Sequence, residues 1–121
     1  MSTVSTHVLD TARGRPAAGV PVRLERVAGG GTPMAEGVTG GGTLLAEAVT
    51  GEDGRVAELG PAGLEPGTYR VVFGTGAYFA RAEQHAFYPE VAISFLVEEA
   101  DGHYHVPLVL SPFGYATYRG S

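Results

Sequence analysis

From Val20 the segment VPVRLERV sets Val20, Val22 and Leu24 against Pro21, Arg23 and Glu25, a period of two that fits an extended strand with one buried face. The same alternation occurs near both ends of the chain. TVSTHVLD (3–10) places Val4, Thr6 and Val8 on one side and Ser5, His7 and Leu9 on the other, while HYHVPLVL (103–110) opposes Tyr104, Val106, Leu108 and Leu110 to His103, His105, Pro107 and Val109. LLAEAVT (44–50), a short run near Val56, GTYRVVF (67–73), VAISFLV (91–97) and YATYR (115–119) read as further strands. The segment GAYFARAEQ between GTYRVVF and VAISFLV predicts one short helix. Nineteen glycines and eight prolines punctuate these runs and keep helix a minor component. Seven or eight short strands with short connections predict an all-β fold, either a two-sheet sandwich or a barrel.

The 121 residues suit a single domain, 1–121, with one core. No apolar run approaches the length of a membrane span, and MSTVSTHVLD lacks the basic patch and long apolar stretch of a secretion signal; the expectation is a cytoplasmic protein. The absence of cysteine removes disulfides and thiolate chemistry and fits a reducing compartment. A net charge of −5 argues against nucleic acid, which is usually met by a clustered basic face. No phosphate-binding loop or Gly-x-Ser-x-Gly elbow is present. A small polar ligand is the better match.

One irregularity is internal. GGGTPMAEGVT (29–39) is followed at once by GGGTLLAEAVT (40–50), with eight of eleven positions identical. This is a tandem duplication of a loop and strand, too short for a solenoid unit. An odd period would reverse the faces if both copies entered the ladder. The second copy is therefore expected to supply the strand, with 29–39 as an insertion.

Candidate chemistry concentrates on the face that the apolar residues leave free. His7 and His105 oppose the core residues of their strands, and Tyr115, Thr117 and Arg119 share a face of the last strand. If these strands are neighbours, His7, His105 and Arg119 converge on one outer face. Histidine titrates near neutrality and serves as a general base or acid, and arginine binds planar carbonyl or urea-like groups or a developing oxyanion. A lone histidine or arginine on a strand is more often a solvated surface group; the convergence is what favours chemistry. Zinc held by His7, His103 and His105 is a weaker rival, and His85 is expected to be exposed. The chain end, Tyr118-Arg119-Gly120-Ser121, follows a β-type segment directly and is itself a site candidate.

These same residues carry a family likeness. THVLD with GRPAAGVPVRLER, TGEDGR, GAYFA, and HYHVPLVLSPFGYATYRGS resemble the 5-hydroxyisourate hydrolases, the transthyretin-related enzymes of urate breakdown, over nearly the whole chain. The terminal Tyr-Arg-Gly-Ser is the specific element, since hormone-carrying transthyretins lack it. The resemblance implies a transthyretin-like sandwich of two four-stranded sheets with one short helix. It further implies a homotetramer with sites where subunits meet, and hydrolysis of 5-hydroxyisourate to 2-oxo-4-hydroxy-4-carboxy-5-ureidoimidazoline without metal or organic cofactor. By that likeness His7, His105 and Arg55 are catalytic: the histidines activate water and Arg55 holds the substrate oxygen. Tyr118 contacts the substrate ring, Arg119 positions the neighbouring histidine, the Ser121 carboxylate pins the tail, and His103 is structural. The alternative is a non-catalytic transthyretin-like module that binds a small molecule. The 29–39 copy departs from the family pattern.

Overall fold

The computed structural model describes residues 3–29, 43–98 and 102–120. Nine strands and one helix follow in the order β1 (Thr3–Asp10), β2 (Arg15–Pro16), β3 (Pro21–Gly29), β4 (Thr43–Val49), β5 (Arg55–Val56), β6 (Gly67–Phe73), α1 (Thr75–Arg81), β7 (Val91–Val97), β8 (His103–Ser111) and β9 (Gly114–Thr117). They form two sheets. One runs β2-β1-β8-β9 with β5 also pairing β1, and the other runs β4-β3-β6-β7. The first sheet thus has five members where four were expected. The surplus is the two-residue β2, which lies in TARGRPAAG, a segment that reads as a turn, whereas the equally short β5 falls at the strand expected near Val56.

The two sheets close on a core whose composition follows the alternation. Val4, Val8, Tyr104, Val106, Leu108 and Leu110 from the first sheet are buried with Val22, Leu24, Tyr69, Val71 and Phe73 from the second. Fully burying a side chain of this class is worth about 1.5–3 kcal/mol, so a slip of one residue in any central strand would lose several such contributions together. β1 and β8 run parallel in unbroken register from Thr3↔His103 to Asp10↔Leu110. Within this pair, the buried Thr6 donates its hydroxyl to the Val106 carbonyl at 2.6 Å. His85 is exposed. No helix among the described residues is long and apolar enough to cross a membrane.

β4 is drawn from the second copy of the duplication and pairs β3 at the edge of its sheet. Residues 30–39 of the first copy lie outside the described residues, as does Ser121.

The helix seals one end of the sandwich by burying Thr75, Tyr78 and Phe79. Tyr78 donates its hydroxyl to Asp10 Oδ2 at 2.6 Å, and Asp10 Oδ1 accepts the Ala12 and Arg13 backbone N–H groups at 3.0 and 3.1 Å. Asp10 is 1% exposed, so these donors replace the water it has lost. Burial first, then the hydrogen bond to Asp10 and its charge, pushes the Tyr78 hydroxyl up to about 12. This contact ties the helix to the end of β1. Tyr78→Phe is expected to lower stability by about 1–3 kcal/mol in urea denaturation; an unchanged midpoint would contradict this role for the contact.

Candidate active site

The outer face of the first sheet collects the polar side chains that the core rejects. The parallel register places Ser5 beside His105 and Thr3 beside His103, while β5 sets Arg55 directly across from His7. Paired residues on neighbouring strands share a face, so His7, Arg55, His103 and His105 stand together.

The TGEDGR segment explains how Arg55 arrives there. Gly54 adopts φ +76°, and a Cβ on it would collide with the Val8 carbonyl oxygen; glycine meets both demands without strain. Asp53 Oδ1 accepts the Arg55 backbone N–H at 3.0 Å, and Gly54 accepts the Val8 N–H at 2.8 Å, fixing the turn to β1. The Arg55 side chain makes no ion pair with any described residue. Arg55 borders a cavity of about 240 Å³ lined also by Ser5, Val56, Ala57, His103 and His105.

His105 is half-buried, and its Nδ1 lies 2.8 Å from Ser5 Oγ. Its Nε2 has no hydrogen bond to any described residue. Burial is the largest influence holding this imidazole below the ordinary value of 6.5. The positive charges of Arg55, His103 and His7 act in the same direction, and a hydrogen bond with the Ser5 backbone opposes them. The His103 and His105 rings lie nearly parallel, 11° apart, with centroids separated by 6.5 Å. A neutral imidazole with one nitrogen anchored and the other free, beside an unpaired guanidinium, can take a proton from water while the arginine meets an oxyanion. Among the described residues, no three His, Cys, Asp or Glu side chains gather as a metal-holding group.

The chain end is placed differently from expectation. β8 and β9 turn through Pro112-Phe113 and pair Leu110↔Tyr115 and Leu108↔Thr117. Tyr115, Thr117 and Arg119 therefore lie on the core side of β8, and not with the histidines. The Arg119 guanidinium sits 4.9 Å from the centroid of Tyr104, a residue of the core face, in a cation–π contact. The expected convergence of Arg119 with His7 and His105 on one outer face does not occur. The hairpin parity explains this, because a two-residue turn after Ser111 fixes which tail residues face inward. Tyr118, 58% exposed, borders a second cavity of about 410 Å³ with Arg119, Phe95, Tyr104 and His105, so His105 lines both cavities.

Gly120 entered the sequence-based set only as part of the terminal tetrapeptide, with no role of its own. It bridges to His105 and donates its N–H to the His105 carbonyl at 2.9 Å. A Cβ here would collide with His105 Cδ2 and stand 3.0 Å from Cγ. The tail backbone thus packs on the imidazole as only glycine allows, and its position inside the terminal tetrapeptide was the available signal.

Comparison with known proteins bears on this geometry. A model of the HIUase/Transthyretin family matches residues 4–120. The chain is 42% identical over 119 residues to a 5-hydroxyisourate hydrolase of Salmonella dublin, covering 98% of this chain and 80% of that one. Its fold is similar to that of 5-hydroxyisourate hydrolase from Klebsiella pneumoniae, with a TM-score of 0.80 and 39% identity over 98% of this chain and 99% of the other. It is also similar to transthyretin from Sparus aurata, with a TM-score of 0.83 and 30% identity over 98% and 96%. The two backbone likenesses are nearly equal, so the fold alone does not choose between catalysis and carriage.

Two measurements test the site's electrostatics and packing. The His105 imidazole, followed by nuclear magnetic resonance, should titrate below 6.5, and Arg55→Gln should raise its midpoint; a midpoint unmoved by that change would remove Arg55 from the field on His105. Gly120→Ala should displace the His105 ring and reduce turnover by about ten-fold or more in a folded protein, whereas wild-type turnover would contradict the close packing.

Proposed function

The chain belongs to the HIUase/Transthyretin family, and from that premise we propose that it hydrolyses 5-hydroxyisourate in urate degradation, with His7, His105 and Arg55 as its catalytic residues. The observation that carries the reading is the shared outer face on which the half-buried His105, with a free Nε2, stands beside the unpaired Arg55. Relatives named as 5-hydroxyisourate hydrolases in Salmonella and in mouse support the substrate.

The residues suit a direct addition of water. A histidine removes a proton from water, and the resulting hydroxide adds to the carbonyl carbon of the cyclic amide. Arg55 meets the oxyanion that forms. The ring C–N bond then breaks, and the proton passes from the imidazolium to the departing nitrogen, which leaves a ureido group and a carboxylate. The division of this work between His7 and His105 rests on which imidazole is neutral, and the environment of His105 favours it as the base.

Tyr118, Arg119 and Ser121 complete the substrate-binding set. Arg119 lies over the Tyr104 ring and lines one cavity with His105, the imidazole it is assigned to position. Tyr118 and Arg119 border a cavity that has His105 in common with the one at Arg55, and in a homotetramer these clefts take further walls from neighbouring subunits. Neither a metal nor an organic cofactor enters this chemistry. The reaction is placed in the cytoplasm, which a cysteine-free chain suits.

A transthyretin-like carrier is the second reading, favoured by the fold likeness to the Sparus aurata protein. Ultraviolet monitoring of freshly generated 5-hydroxyisourate decides between them. Added protein should accelerate the decay, folded His105→Ala should lose about 100-fold or more in kcat, and deletion of residues 118–121 should abolish turnover before it abolishes folding. Decay unchanged by the wild-type protein, with ligand bound but intact, would favour the carrier.

A further inference from the structure

The outer face holds a chain of hydrogen bonds that the reaction as described does not use. Thr3 Oγ1 lies 2.7 Å from His103 Nδ1, His103 Nε2 lies 3.1 Å from Ser5 Oγ, and Ser5 Oγ lies 2.8 Å from His105 Nδ1. Four side chains from two strands are linked in line, an alignment set by the parallel register of β1 and β8. Ser5 is its centre and is buried, at 7% exposed. His103 is exposed.

A hydroxyl has one proton to give, so such a chain runs in one direction or the other. In one direction His105 Nδ1–H donates to Ser5, the Ser5 hydroxyl donates to His103 Nε2, and His103 Nδ1–H donates to Thr3. Every link is made, and His105 Nε2 is left with a lone pair. In the reverse direction Thr3 donates to His103 Nδ1, His103 Nε2–H donates to Ser5, Ser5 donates to His105 Nδ1, and His105 Nε2 carries the proton. The two directions differ in what happens when the ring takes up a proton. In the first, Nε2 gains and loses a proton while Nδ1–H stays on Ser5 and nothing else moves. In the second, the remaining basic nitrogen is Nδ1, and protonating it forces the Ser5 hydroxyl to turn and His103 to change tautomer. Preorganised sites avoid such rearrangement during the reaction.

We propose that Ser5, supported by His103 and Thr3, is the positioning residue that holds His105 in the Nδ1–H tautomer with Nε2 free to receive the proton of the attacking water. The inference rests on the reading that His105 is the base, and it gives His103 a role beyond the purely structural one that the family likeness implies. Histidines that act through one nitrogen commonly have the other fixed by a hydrogen-bonded partner. Here the orienting acceptor is a serine hydroxyl, backed by a second imidazole where a carboxylate would otherwise stand. Gly120 closes the opposite side of the same ring, with its missing Cβ giving the tail room to pack there.

The test combines tautomer assignment with kinetics. In protein labelled with ¹⁵N-histidine, studied above the His105 titration, the wild-type spectrum should show His105 with Nδ1 protonated and Nε2 bare, opposite to the ordinary preference of a free imidazole. Ser5→Ala should lose that preference and lower kcat by about ten-fold or more, with KM within about two-fold. Ser5→Thr, which retains a hydroxyl, should recover most of both. A wild-type spectrum with the proton on Nε2 would overturn the proposal, as would a folded Ser5→Ala protein with wild-type kcat and tautomer. If Ser5→Ala does not fold, the wild-type spectrum decides alone. A wild-type protein with the Nδ1–H tautomer and no turnover of 5-hydroxyisourate would support the positioning role and remove the assigned reaction.

Discussion

The parallel pairing of β1 with β8, eight residue pairs offset by one hundred positions, is the constraint on which the rest of the structure depends. Parallel strands need a long crossover, and most of the described chain lies between these two. Their shared register decides two things together. It buries Val4, Val8, Val106 and Leu108 on one face, and on the other it brings Ser5 alongside His105 and Thr3 alongside His103. A slip of one residue would expose the core and scatter the polar side chains in the same movement. Stability and site geometry are therefore specified by one set of hydrogen bonds. β5 and the chain end attach to this pair from opposite sides and contribute Arg55 and Gly120.

The electrostatics of that face contrast with the rest of the molecule. The chain carries a net charge of −5, and several of its other arginines meet carboxylates: Arg70 and Arg23 both meet Glu25, at 2.7 and 3.0 Å. At the outer face Arg55 has no such partner among the described residues, and its charge is one of the influences that keep His105 neutral. Gathering like charges and imidazoles beside one another costs folding energy. In the proposed reaction the same arrangement supplies a base that is unprotonated at neutral pH and a cation for developing negative charge, a division of protonation states that acid–base catalysis requires. Tyr78 and Asp10 lie at the far end of β1 and anchor it to the helix, at a distance of several residues from the chemistry.

Much of this was legible in the sequence because period-two alternation is a strong signal in this chain. The residue limits of β1, β6 and β7 coincide with TVSTHVLD, GTYRVVF and VAISFLV, and the opposition of His7 and His105 to the core follows from the same alternation. Alternation within one strand does not state which face a neighbour turns inward. The two-residue turn at Pro112-Phe113 carried that information, and applying it to the tail would have paired Leu110 with Tyr115 and sent Arg119 to the core side. Ser5 and Gly120 were harder to read. A serine on a strand and a glycine near a chain end are common, and their roles appear only when the register sets Ser5 between two imidazoles and the tail backbone against His105. β2 was hidden inside a turn because two residues are too few to show a period.

Arg55 and His105, delivered by different strands to one face, are proposed to act as a unit on one reacting centre. The most direct measurement is a double-mutant cycle in kcat/KM for 5-hydroxyisourate, using Arg55→Ala, His105→Ala and the double variant, each confirmed to be folded. Residues that serve a single transition state are strongly non-additive, so the double variant should lose little more than the worse of the two single variants. Losses that multiply independently would contradict the claim and place the two residues in separate roles.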